Sequence, residues 1–211
     1  MSIDSFDPRE VDAAVKAGAE LVLSVNRSNR EAAKDWDCAV VAIPDEPADL
    51  EGLEETLAYL AKHDVPYVVD PILEPIGCGF MQSLTRYHEM RRRHPNVEML
   101  MGIGNLTELT DADSAAVNLL LIGICQEMGI RKVLTTQVIN WARSSVKECD
   151  LARRLAFHAI EHRIPPKHIE PNLVLLRDPR LHSVAALDFE AMAHAIKDKN
   201  YRIYTDSTFI H

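Results

Sequence analysis

The stretch VPYVVDPI at residues 65–72 decides how the rest of the chain reads. Val65, Tyr67, Val68 and Val69 make an apolar run of strand length, and Asp70-Pro71 ends it. β-Branched and aromatic residues favour extended backbone, and a continuous apolar run marks a strand covered on both faces. Runs of similar length recur at 21–25, 39–43, 98–103 and 132–138, with Ser2-Ile3 reading as the end of another. Amphipathic stretches lie between them at 8–17, 49–63, 82–94 and 112–128. Strands alternating with helices in this way predict βαβ units and a parallel sheet. Asp7-Pro8 starts the first helix and Gly18 ends it, while Asp111 stands ahead of the fourth and Gly129 closes it. Past Val138 the spacing predicts one helix over 140–162, a break at Pro165-Pro166, a strand at 173–176, and a helix with a weak final strand over 189–211.

The 211 residues are 47% hydrophobic and carry 23 Lys plus Arg against 32 Asp plus Glu, a net charge of −9. This supports one sizeable core and excludes a disordered tail. No stretch reaches the roughly 18 apolar residues of a membrane span, so no membrane partner is expected. The acidic balance argues against nucleic acid, and Arg86 with Arg91, Arg92 and Arg93 reads as the solvated face of a helix. Residues 1–4 begin no apolar leader, and Cys38, Cys78, Cys125 and Cys149 form no CxxC pair, which fits a reducing cytoplasm. Neither the cysteines nor the nine histidines have metal-ligand spacing, so no metal site is expected.

In parallel α/β folds ligands bind at the carboxyl ends of the strands. Standing there are Asp4, Ser24, Asn26, Asp70, Asn105 and the run Thr135-Thr136-Gln137. Each alone reads as a turn former or cap as readily as a ligand contact. Asp70 stands out, because a carboxylate ending so apolar a strand needs partners if buried. Carboxylates and carboxamides together suit a heterocycle rich in N–H donors, such as a pterin or guanine-like ring. Gly102 and Gly104 allow close backbone approach, where N–H groups can meet an anion. Cys78, between Gly77 and Gly79, reads as a buried, inert thiol. Trp141 either stacks on a ligand ring or packs at the sheet end.

From Met1 to about Thr136 the chain resembles the pterin-binding barrel family, which includes dihydropteroate synthases and methyltetrahydrofolate:corrinoid methyltransferases. Ser2-Ile3-Asp4-Ser5-Phe6 and Ala17-Gly18-Ala19 look like the synthase segment from the third strand into the fourth. Val68-Val69-Asp70-Pro71 looks like the family's pterin-binding Asp-Pro strand. Ile72-Leu73-Glu74-Pro75 and Gly102-Ile103-Gly104-Asn105-Leu106-Thr107 are nearer the methyltransferase branch. The synthase lysine motif is replaced by Asn105-Leu106-Thr107, and Leu23 stands where a pterin-contacting asparagine is expected. The longest matches are to dihydropteroate synthase-related proteins of organisms using tetrahydromethanopterin: Thr135-Thr136, Val138-Ile139-Asn140-Trp141-Ala142-Arg143, Asp150-Leu151-Ala152-Arg153-Arg154 and Leu176-Arg177-Asp178-Pro179.

The resemblance implies a TIM-type (β/α)8 pterin-binding barrel of the α/β class. A whole one typically needs about 250 residues. Asp4 then falls on the third strand, so the expectation is strands three to eight over 1–164, lacking the first two, and a truncated α-rich extension over 165–211. It also implies condensation of a hydroxymethyl-dihydropterin diphosphate with an arylamine. Asp70, Asn105, Asp4, Ser24 and Asn26 would bind the pterin, and Arg143, Gly102 and Gly104 the diphosphate, which would bring magnesium with it. Arg143 equally reads as facing Glu148 or solvent on its helix. No covalent cofactor is implied, and a homodimer is compatible with the family. Two other readings stand beside this one: a methyltransferase-type domain needing a corrinoid partner, and an inactive truncated barrel.

Overall fold

A computed structural model describes residues 1–174, 186–198 and 201–204. Its six short strands run in chain order, each followed by a helix: β1 (Ser2–Asp4), β2 (Leu21–Val25), β3 (Ala39–Ala42), β4 (Tyr67–Val69), β5 (Leu100–Gly102) and β6 (Lys132–Leu134). All pairings are parallel, as the alternation of strands and helices predicts. The first four strands form one sheet in the order β1-β2-β3-β4, and β5 with β6 forms another. A single bridge, Val69 to Met99, joins the two.

The helices are α1 (Pro8–Lys16), α2 (Arg30–Ala33), α3 (Leu50–Lys62), α4 (Phe80–Arg93), α5 (Gly104–Thr107), α6 (Ser114–Glu127), α7 (Ser145–His162) and α8 (Ala186–Ala195). Asp7 caps α1 by accepting from Arg9 N, with Pro8 in the first turn; Asp49 caps α3 by accepting from Gly52 N at 2.9 Å. Gly18 and Gly129 take positive φ after α1 and α6, a conformation a side chain would strain. The main core lies between strands and helices and includes Val22, Val40, Leu53, Leu60, Met90 and Leu121. On the opposite sheet face Val41, Val68 and Leu100 make a smaller cluster. Residues of β3, β4 and β5 are therefore buried on both faces, which is why they read as unbroken apolar runs.

The expectation of a TIM-type (β/α)8 barrel is overturned. The described residues form a four-stranded and a two-stranded parallel sheet, fewer strands than such a barrel has. Closure requires a continuous ladder round the cylinder. Here strands of three to five residues leave one bridge between β4 and β5, and β1 and β6 each keep an unpaired edge among the described residues. Alternating strands and helices specify parallel pairing; strand number and closure came only from the resemblance.

Smaller differences have local causes. The helix over 140–162 is broken: residues 140–142 form a 3-10 turn, and α7 begins after Ser144. α6 starts after Asp113 rather than Asp111. Residues 171–173 form a 3-10 turn opened by Pro171, whose ring removes a ladder donor. The rest of the strand placed at 173–176, the Leu176-Arg177-Asp178-Pro179 match and most of the final strand lie outside the described residues. Among the described residues, no helix is long and apolar enough to cross a membrane.

Candidate functional site

The β4 strand ends by passing its last backbone bond, Asp70 N to Ala42 O at 2.9 Å, and then turns sharply. Ile72 N donates to Asp70 Oδ1 at 2.8 Å, and Ile72 sits at φ 64°. A β-branched residue in the left-handed region is strained, so the surroundings must hold it there. Arg86 of α4 does so. Its Nη2 donates to Ile72 O at 3.2 Å and to Glu74 Oε2 at 2.6 Å, and its Nε to Pro71 O at 3.5 Å. This ion pair is largely buried, with the side chains 10% and 19% exposed. Glu74 in turn occupies space that a Cβ at Gly79 would invade, at 2.7 Å from its Oε2.

Arg86 thereby corrects the expectation of a solvated basic face. Arg86 is buried, and Arg91 donates to the carbonyls of Met128, His94, Pro95 and Val97, tying α4 to neighbouring turns. Only Arg92 and Arg93 behave as surface charges, both paired with Glu89.

Asp70 itself is 8% exposed. Its Oδ1 accepts from Tyr87 Oη at 2.5 Å as well as from Ile72 N. Its Oδ2 accepts no hydrogen bond among the described residues. Burial raises the carboxyl to about 6 against the lowering effect of those two bonds, so it is mainly ionised at neutral pH. The open Oδ2 looks onto Gly102, 3.7 Å from where a Cβ would stand. The Asn105 carboxamide borders the same point, with Nδ2 at 3.6 Å. One Asn105 Nδ2 hydrogen is used on Leu73 O at 3.0 Å, which leaves the second hydrogen and Oδ1 for a ligand. The space over Gly102 is therefore bordered by an anionic acceptor and by an amide that both donates and accepts. Tyr87 and Ile72 fill Oδ1, so Asp70 offers a ligand Oδ2 alone.

The other expected residues make contacts of their own. Asp4 is exposed at the end of β1, which pairs only with β2. Ser24 has φ 75°, and its carbonyl accepts from Asn29 Nδ2 at 3.2 Å. Asn26 Oδ1 accepts from Ser28 N at 3.0 Å and Ser28 Oγ at 2.6 Å, an Asx turn leading into α2. No hydrogen bond joins Asp4, Ser24 or Asn26 to Asp70 or Asn105 among the described residues. Gly104 opens α5, where a Cβ would stand 3.2 Å from Glu108 Oε1 and 3.7 Å from Thr135 Cα. Arg143 is exposed and donates to Asn140 Oδ1 at 3.3 Å. Glu148 is buried and accepts from Ser114 Oγ, Asn118 Nδ2 and Ser144 Oγ at 2.6 to 2.8 Å. Its carboxyl sits in the first turn of α7, close in sequence to Arg143 but bonded to these three neutral partners. Trp141 Nε1 donates to Thr107 O at 3.0 Å, which anchors the ring by its edge. Cys78 is exposed rather than buried, because the glycines on either side both take positive φ and carry the loop outward.

Sequence reasoning missed Tyr87, Arg86 and Glu74. A signal for Tyr87 existed: Ser83, Tyr87 and Met90 follow helical spacing on the buried side of α4. The charge-rich run RYHEMRRR obscured it. Among the described residues, no group of three or more His, Cys, Asp or Glu is placed to hold a metal ion.

No family model matches the chain. An uncharacterized protein of Methanocaldococcus jannaschii is 34% identical to it over 198 residues, a match covering 85% of this chain and 38% of that protein. The chain thus spans well under half the length of this relative.

Proposed function

We propose that this chain binds a pterin at the carboxyl ends of β4 and β5, as part of a transferase of the dihydropteroate synthase type in folate-like or tetrahydromethanopterin cofactor synthesis. The observation supporting this is the open Asp70 Oδ2 beside the Asn105 carboxamide over Gly102. A 2-amino-4-oxo pyrimidine edge carries adjacent N–H donors and a carbonyl acceptor, and these groups answer both. The ring's N–H donors go to Asp70 and Asn105 Oδ1, and its carbonyl to the free Asn105 N–H. Arg143, on the surface, is the cation offered to the departing diphosphate, and any magnesium arrives with that group. The setting is the cytoplasm, in keeping with four free cysteines.

Titration of the full chain with 6-hydroxymethyl-7,8-dihydropterin tests the binding step. Saturable binding is expected, and its absence sinks the reading. Gly102→Ala is the matched control. Its methyl would meet Asn105 and Asp70 at ordinary contact distances, and Gly102 does not have positive φ. The fold therefore stays within about 1 kcal/mol of wild type, while the methyl fills the ligand's place and weakens binding by about 2 kcal/mol or more. Pyrophosphate release from the pterin diphosphate plus an arylamine tests the chemistry; methyl transfer to a corrinoid instead would favour the second branch of the family.

Affinity also has a predictable pH dependence. N–H donors bind the ionised Asp70, and the protonated acid offers Oδ2 as a competing donor. Binding is expected to be level above about pH 7 and to decline as pH falls through 6. A profile flat down to pH 4.5 would remove Asp70 from the site.

A further inference from the structure

We propose that Tyr87 is a positioning residue, whose phenol holds Asp70 by Oδ1 at the end of β4 and so leaves Oδ2 as the one oxygen presented to the ligand. This rests on the reading that Asp70 receives the ligand. It extends that reading to a residue on α4 that touches no ligand itself.

Three observations carry it. First, Tyr87 is wholly buried and donates to Asp70 Oδ1 at 2.5 Å, so with Ile72 N it fills that oxygen. A carboxylate held by two donors on one oxygen cannot rotate without breaking both bonds. Second, Asp70 Oδ2 accepts no hydrogen bond among the described residues and faces the space over Gly102, 3.7 Å from where a Cβ would stand. Third, the sheet is weakest at the seam between β4 and β5, where only the Val69–Met99 bridge pairs the strands. The phenol of Tyr87 holds the end of β4 beside that seam. Arg86, the next residue on α4, clamps the loop after Asp70 from the same helix.

The charged and titratable groups around Asp70 leave the phenol as its main hydrogen-bonding side chain. From α4 come Tyr87 and Arg86, the latter committed to Glu74 and to the Pro71 and Ile72 carbonyls. From α6 comes Cys125, whose thiol burial pushes up to about 12, so it stays neutral. Glu74 is paired with Arg86, and Asn105 carries no charge. Removing the Tyr87 hydroxyl therefore removes a bond that favours the ionised carboxyl.

Tyr87→Phe keeps the ring in the core and tests the proposal in two ways. The first uses no ligand: the Asp70 carboxyl carbon is followed by NMR titration and assigned by its absence in Asp70→Asn. Its midpoint is expected to rise by about one pH unit in Tyr87→Phe, the size expected from losing one hydrogen bond to a charged group. The second follows 6-hydroxymethyl-7,8-dihydropterin binding, where the low-pH loss should set in about one unit higher than in wild type. A merely structural defect would lower affinity without moving either midpoint. Unchanged midpoints with wild-type affinity overturn the role of Tyr87 while leaving pterin binding intact. A shifted carboxyl midpoint in a protein that binds no pterin upholds the Tyr87–Asp70 coupling and overturns the pterin reading. If Tyr87→Phe fails to fold, Tyr87 carrying 3-fluoro substitution keeps the ring and hydroxyl, and its more acidic phenol should move the Asp70 midpoint down; no movement overturns the proposal.

Discussion

Asp70→Asn is expected to stabilise the protein by about 2–3 kcal/mol at pH 7.5 while abolishing ligand binding. The carboxyl stands near 3.8 in an unfolded chain and at about 6 in the folded one, because burial disfavours its charge. The folded state therefore holds its proton more tightly, and ionising Asp70 opposes folding. The sign follows directly. Below about pH 3 both states are protonated and there is no cost. The cost grows as pH rises to 6 and is full above it, at about 1.4 kcal/mol for each unit of difference. Asparagine removes the charge yet keeps a carbonyl oxygen where Tyr87 and Ile72 donate. Thermal or urea denaturation across pH 3 to 8 checks this: the variant's advantage should be absent near pH 3 and complete by pH 7. An advantage independent of pH would show that Asp70 is not the titrating group.

The second large effect runs the opposite way. Arg86→Ala should destabilise the protein by about 3–5 kcal/mol, because it leaves the Glu74 carboxylate charged and enclosed with its partner gone. The carbonyls of Pro71 and Ile72 lose their donor in the same change, and the left-handed conformation of Ile72 loses its clamp. The double variant Arg86→Ala with Glu74→Ala separates these parts. Removing both charges should recover much of the lost stability in urea denaturation, since the unpaired buried charge is the larger share. Pterin binding should stay weak in the double variant, because the loop carrying Asp70 remains unclamped. Recovery of both stability and binding would show that Arg86 does no more than neutralise Glu74.

How far these features could be read beforehand depends on how local their causes are. The run ending at Asp70 was visible because β-branched residues covered on both faces leave no polar alternation, and Asp70 because a carboxylate there conflicts with the strand it ends. Asp7-Pro8 likewise announced α1 through a cap and a fixed φ. Arg86 was misread for a physical reason. Charge runs usually signal a solvated face, and only the phase of α4 against the loop after β4 turns one of its arginines inward. That Asp70 offers one oxygen rather than two depends on Tyr87, 17 residues away, and on the backbone angle at Ile72. The number of strands was beyond local reading altogether, since nothing in a strand of three residues records how many others stand beside it.

The single bridge between β4 and β5 bears on what a ligand here would join. The backbone ladder is thus nearly interrupted between two groups of parallel strands, which a shared core and the Asn105–Leu73 bond hold together. Asp70 belongs to the first group and Asn105 to the second. A ligand held by both would bridge two strand ends that the backbone ladder leaves unjoined.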